Sequence, residues 1–208
     1  MSAPPITFED AVSIVGTLPP LHPRPSGTNL RACTLDLIGK LSGMPSHQSP
    51  DHGYSRMVKE PAIYALTSPA TPWVDWPDPG PHCTIDAALD AAGQADALVQ
   101  YNAYKKVYDS QENVRRAVIN ALNIAVPQAY QRVAGGGVGV QNYRPTDSPM
   151  AILASLRRLY GRLTPTERTG MEARWSTPWN TSYPIDTFFD RLEDCFVMAM
   201  SNPPPLHN

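Results

Sequence analysis

The sequence has little of what catalytic or metal chemistry is usually read from. Its three cysteines, Cys33, Cys83 and Cys195, lie at least fifty residues apart. An odd and widely spaced set excludes a disulfide framework and points to a reducing compartment, here the cytoplasm. A zinc site needs Cys and His at close spacing, and the adjacent His82 and Cys83 alone cannot supply a tetrahedral set. No metal ligand set and no cofactor are expected. No run approaches the ~20 apolar residues of a membrane span, and Met1 to Pro5 lacks a basic region followed by an apolar run, so neither membrane nor secretory pathway is expected. The sequon Asn180-Thr181-Ser182 then meets no glycosylation machinery. Charge of one sign is also scarce: the net charge is -2 at pH 7, without the basic excess of a protein built to grip phosphates.

Nucleophile signatures are missing as well. No G-x-S-x-G surrounds a serine. The run Gly135-Gly136-Gly137-Val138-Gly139 lacks the G-K-[ST] ending of a phosphate loop and reads as a linker. Asp147-Ser148-Pro149 matches neither D-T-G nor D-S-G of an aspartic protease. Cys33 and Cys195 read as small core residues, and His52 and His82 as loop residues. No catalytic residue and no small-molecule substrate are expected. A small hydrolase using Cys33 or Cys83 is the rival enzymatic reading.

What the chain does have is proline, 23 residues of it, many before Ile85. Proline fixes φ and removes a donor, which excludes long helices there. Residues 1–83 are therefore expected to be an arm with short helices. Thr7 to Val15 is capped by Thr7 and stopped by Gly16, and a second helix runs from Asn29 to about Leu41. Short helical turns fall between Tyr54 and Leu66, and a Pro/Trp-rich stretch carrying Trp73 and Trp76 follows. Residues 84–201 are expected to be a helical domain and 202–208 a tail. Thr84 is read as the cap of a helix to about Ser110, followed by a second helix from Gln111 to Ala125. Pro127 opens a short helix with Ala129, Tyr130 and Val133. Ser148-Pro149 starts a helix stopped by Gly161, and Thr164-Pro165-Thr166-Glu167 is a capping box. Pro184 opens the last helix, with Ile185, Phe188, Phe189, Leu192, Phe196 and Val197 as its apolar stripe and Asp190, Arg191, Glu193 and Asp194 opposite. No strand pattern appears, so the fold class is all-α.

Basic residues are spread over three expected helices: Lys105, Lys106, Arg115, Arg116, Arg157, Arg158 and Arg162. They are the candidate RNA contacts. The plainer reading is a solvated face.

The order of segments resembles the Gag region of copia-type retrotransposon polyproteins, of the kind common in algal, diatom and oomycete genomes. Four stretches carry this. His52-Gly53-Tyr54-Ser55-Arg56-Met57-Val58 and Pro61-Ala62-Ile63-Tyr64-Ala65-Leu66 are similar to the family's "HGxxGLV" and "xxEYAxL". Trp76-Pro77-Asp78-Pro79-Gly80 is similar to its "P-x-x-P-G". Ala125-Val126-Pro127-Gln128-Ala129-Tyr130 is similar to "AVPxxY". Leu159-Tyr160-Gly161-Arg162-Leu163-Thr164-Pro165 is similar to "LYxxYGxITP", with Trp179, Pro184, Ile185 and Phe189 falling in a stretch similar to "PWDPxxPIExLFxxIED". The likeness runs from about residue 50 to 200. The family's Trp-Asp-Pro reads Trp179-Asn180-Thr181 here, and the glycine-rich loop is longer.

Family members continue to further helices and often a zinc knuckle. The end at Asn208 sets the expectation of one lobe without zinc-based packaging. The resemblance implies a helical retroelement capsid-like lobe, preceded by the proline-rich, largely irregular arm. It implies self-association into virus-like particles enclosing RNA, with the chain itself as partner. The matched residues His52, Gly53, Tyr64, Pro127, Tyr130, Tyr160, Gly161, Pro165, Trp179, Pro184, Ile185 and Phe189 are structural in it. A domesticated adaptor, binding a host protein through the arm without forming particles, is the alternative.

Overall fold

The computed structural model describes residues 4–46, 52–66, 73–86, 88–131, 142–161 and 165–200, with backbone alone for 190, 193, 194 and 196–200. The glycine run Gly135 to Gly139, Val133, Arg162, Thr164 and the 202–208 tail lie outside the described residues, as do the side chains of Asp190, Glu193, Asp194, Phe196 and Val197. Among the described residues the fold is all-α, with no strand. The helices are α1 (Phe8–Val15), α2 (Gly27–Ser42), α3 (Pro61–Leu66), α4 (Ala91–Ala125), α5 (Pro149–Tyr160), α6 (Pro165–Ser176) and α7 (Ile185–Met200), with 3-10 turns at Ser55–Met57 and Gln128–Tyr130.

Local chemistry sets most of the ends. Thr7 Oγ1 accepts from the Asp10 N–H at 3.1 Å, and the Asp10 carboxylate accepts from the Thr7 N–H, a reciprocal capping box. The start of α2 is one turn earlier than the sequence suggests. Ser26 is its N-cap, and Asn29, expected to cap, sits at the third helical position and accepts from the Ser26 N–H at 2.7 Å. Ser148 caps α5 with Pro149 behind it, and the Gly161 N–H closes the helix on the Arg157 carbonyl at 2.8 Å.

The expected pair of helices between Thr84 and Ala125 is one helix of 35 residues. Asp90, not Thr84, caps it, accepting from the Gly93 N–H at 2.8 Å. No proline or glycine interrupts it after Gly93. Ser110, read as an end, returns its hydroxyl to the Lys106 carbonyl at 2.8 Å and accepts from the Ile6 N–H at 3.1 Å, so it serves the helix interior and a tertiary contact together.

One apolar core crosses the boundary expected near residue 84. Half of it comes from before residue 60: Ile6, Ala11, Val15, Leu18, Leu21, Leu30, Cys33, Leu37, Leu41, Met44, Tyr54 and Val58. These pack on the C-terminal half of α4, from Val114 to Val126, and on Tyr143, Ile152, Leu153 and Leu156. The Leu21 N–H donates to the Ala125 carbonyl at 2.9 Å, which ties the proline-rich stretch after α1 across the end of α4. Prolines exclude long helices in that stretch, but they do not exclude burial of the residues between them.

Candidate assembly surface

Two of the matched stretches meet in space. Pro127 leads into the 3-10 turn that carries Tyr130, and the Tyr130 and Tyr160 rings stand edge to face with centroids 5.4 Å apart. His52 meets the buried Tyr64 ring in the same manner at 5.9 Å. Gly53 takes φ +50°, a left-handed conformation, beside the end of α2. These residues connect elements.

The C-terminal hairpin is different. Helices α6 and α7 pack chiefly on one another. Cys195 is buried between them, its Sγ 3.9 Å from the Met171 carbonyl oxygen. The side of α7 that carries Phe188, Leu192 and Cys195, spaced four and three residues, is the better covered one. Ile185 lies two turns from Leu192, yet it and Phe189 are open to solvent, so among the four described members of the expected apolar stripe two are partly covered and two are exposed. Exposure reaches 52% at Trp175, 62% at Tyr183 and 57% at Phe189, with Trp179 and Leu159 also exposed.

The connection between the two helices is ordered by its own side chains. Trp179 Nε1 donates to the Tyr183 carbonyl at 3.2 Å, and Asn180 Oδ1 accepts from the Ser182 N–H at 3.0 Å. The latter is an Asx turn, in which the side chain fixes the backbone two residues on. Pro165 opens α6, and Pro184 precedes α7 with its carbonyl accepting from Thr187 Oγ1 at 2.7 Å. Both signs of charge lie along α6, at Glu167, Arg168, Glu172 and Arg174.

The basic residues reach separate partners. Lys105 pairs with Asp109 at 2.9 Å, and that hydrogen bond, first among several causes, raises the Lys105 pKa. Arg115 pairs with Glu112 and donates to the Thr146 carbonyl at 3.0 Å. The Arg116 guanidinium lies over the Phe8 ring, 5.1 Å from its centroid. Arg157 faces Glu60 at 3.7 Å and Thr34 Oγ1 at 3.4 Å. Lys106 and Arg158 are exposed and make no ion pair among the described residues.

Burial, first, and the Asp36 carboxylate push Cys33 up to about 11. Cys83 is half-buried with its Sγ 3.8 Å from the Ala97 carbonyl oxygen. Among the described residues no group of three or more His, Cys, Asp or Glu is placed to hold a metal ion, and no helix is long and apolar enough to cross a membrane. Comparison with protein-family models, curated proteins and solved structures gave no match.

Proposed function

We propose that the chain is a structural, self-associating protein of the Gag capsid kind, which builds cytoplasmic particles around RNA and is not an enzyme. The observation that carries this reading is the α6–α7 hairpin. None of its described side chains belongs to the apolar core cluster, and it holds Trp175, Trp179, Tyr183, Ile185 and Phe189 on its surface. Aromatic residues crowded on one surface element are the composition of an interface centre, not of a solvated face. The occupant is a second copy. Alternating charges on α6 let the helix meet itself about a two-fold axis with opposite signs in register, and weak repeated contacts add up over many copies.

Sedimentation and electron microscopy at high protein concentration test it. The wild-type chain forms higher assemblies, and Trp175→Ala with Phe189→Ala reduces them at least tenfold while leaving the melting temperature in place. A chain that stays monomeric under every assembly condition ends the proposal. Among the described RNA candidates, Lys106 and Arg158 are the exposed cations without an ion pair, and they are the RNA contacts in this reading. Reversing both to Glu lowers RNA retention without changing the fold, and unchanged retention removes RNA contact through these residues.

A further inference from the structure

The segment ahead of α4 is held to that helix mostly through its backbone. From Val74 to Cys83 it runs against the direction of α4. Gln111 clamps one step of it: Nε2 donates to the Val74 carbonyl and Oε1 accepts from the Trp76 N–H, each at 3.3 Å. The Trp76 ring meets Tyr104 edge to face at 4.6 Å. Tyr104 Oη donates to the Pro77 carbonyl at 2.9 Å, and Tyr101 Oη donates to the Gly80 carbonyl at 2.7 Å. The series ends where Cys83 meets Ala97. Ala97, Tyr101, Tyr104, Tyr108 and Gln111 recur every three or four residues, so they make one stripe about 21 Å long.

The chemistry of that stripe matches its occupant. Pro77, Pro79 and Pro81 have no N–H to give, so the segment offers mainly carbonyl acceptors. A row of tyrosine hydroxyls and a carboxamide, set among aromatic rings, is the surface that takes proline-rich ligands. Most of the bonds from α4 read backbone, and Trp76 is the one large side chain docked on it. Such a surface does not distinguish its own segment from the same segment of another copy. No residue of α4 before Ser110 is buried.

We infer that the Ala97–Gln111 stripe is a receptor for the Trp-Pro-Asp-Pro-Gly segment, filled in cis in the lone chain and exchanged between neighbouring copies when chains associate. The occupant in the assembled state is residues 74–83 of a second copy. The inference rests on the self-association reading, and adds to it a partner segment and an element distinct from the α6–α7 hairpin. Exchange conserves the contacts, so it needs only a neighbour near enough to match the cis segment, whose effective concentration is of millimolar order.

Two full-length variants test it. One, Tyr101→Phe with Tyr104→Phe and Gln111→Ala, breaks the stripe and keeps the segment. The other, Trp76→Ala with Gly80→Val, breaks the segment and keeps the stripe, because Gly80 holds φ +80°. Mixed, the two form a one-to-one complex by size exclusion with light scattering that neither forms alone. A labelled peptide of residues 73–83 binds the segment-broken variant at least tenfold more tightly than wild type, and does not bind the stripe-broken variant. Absence of peptide binding by a segment-broken variant with wild-type circular dichroism overturns the inference.

A second measurement needs no variant. The same peptide carrying a photo-crosslinker at position 76 attaches to wild-type protein between residues 97 and 111, as mapped by mass spectrometry. Attachment only elsewhere also overturns the inference. If wild type assembles while both peptide tests fail, the exchange is wrong and self-association stands. If the peptide binds and no assembly forms, the stripe stands as a receptor for its own segment, and exchange between copies falls together with self-association.

Discussion

Gly53 sits where a methyl group would lie 2.2 Å from the Leu41 carbonyl oxygen and 2.6 Å from that of Met44, at φ +50°. Backbone, not a yielding side chain, blocks the space. Gly53→Ala therefore strains both its own dihedral and the end of α2. A loss of about 2–4 kcal/mol follows, read as a fall in melting temperature of about 5–15 °C for a chain of this size.

Cys33 gives a second prediction at this scale. Its folded thiol is raised from 9.0 to about 11, chiefly by burial. The folded state thus holds the proton more tightly than the unfolded chain does. The stabilisation is complete below about pH 9 and is lost as pH rises from 9 through 11. Cys33→Ala flattens that limb of a stability–pH curve. A fall from about pH 10 upward persists in that variant, because burial raises Tyr54 to about 12 and pushes Tyr143 up as well. The sequence marks Cys33 as a core residue through its helical spacing from Leu30 and Leu37. It marks Gly53 only through a resemblance, because a close backbone approach leaves no periodic trace.

At the scale of elements, the caps at Thr7 and Ser148 were legible, while those at Asn29 and Thr84 were not. Thr7, Ser148-Pro149 and Gly161 each act through atoms within four residues, so a short window contains the whole interaction. The start of α2 was misplaced because Ser26 and Asn29 are both good caps, and the reciprocal bond that assigns their roles forms only in the folded turn. The sequence reading places a break at Ser110, but helix continuity depends on the absence of a breaker, and neither proline nor glycine stands there. The two halves of α4 still differ in support. Its buried residues begin at Ser110, and the half before that is covered by the 73–86 segment through Tyr101, Tyr104 and a few further contacts. Amide exchange is therefore faster for residues 94–108 than for 114–125, by at least tenfold in protection. Equal protection along the helix removes the picture of a half held by a detachable segment.

For the whole molecule, the proline count misleads in an instructive way. Proline controls secondary structure, yet α2 within residues 1–83 still runs sixteen residues, as long as α7. Burial is a separate question, settled by contacts such as Leu21 on the end of α4, which no local pattern encodes. The consequence is asymmetric truncation. Removing residues 1–81 takes away twelve of the twenty-four residues in the core cluster. With about 1–3 kcal/mol for each large side chain buried, the loss far exceeds the 5–15 kcal/mol by which domains are stable, and that truncated chain does not fold.

Removing residues 165–208 takes away none of the cluster's described residues. The remaining 1–164 chain keeps a cooperative thermal transition within about 5 °C of the full chain and loses the aromatic surface of α6 and α7. Calorimetry and sedimentation on the two truncated chains separate the outcomes. Folding retained with assembly lost, in the C-terminally shortened chain, is the expected pair. Assembly undiminished in that chain moves the self-association surface off the hairpin, and the stripe on α4 is then the next place to look.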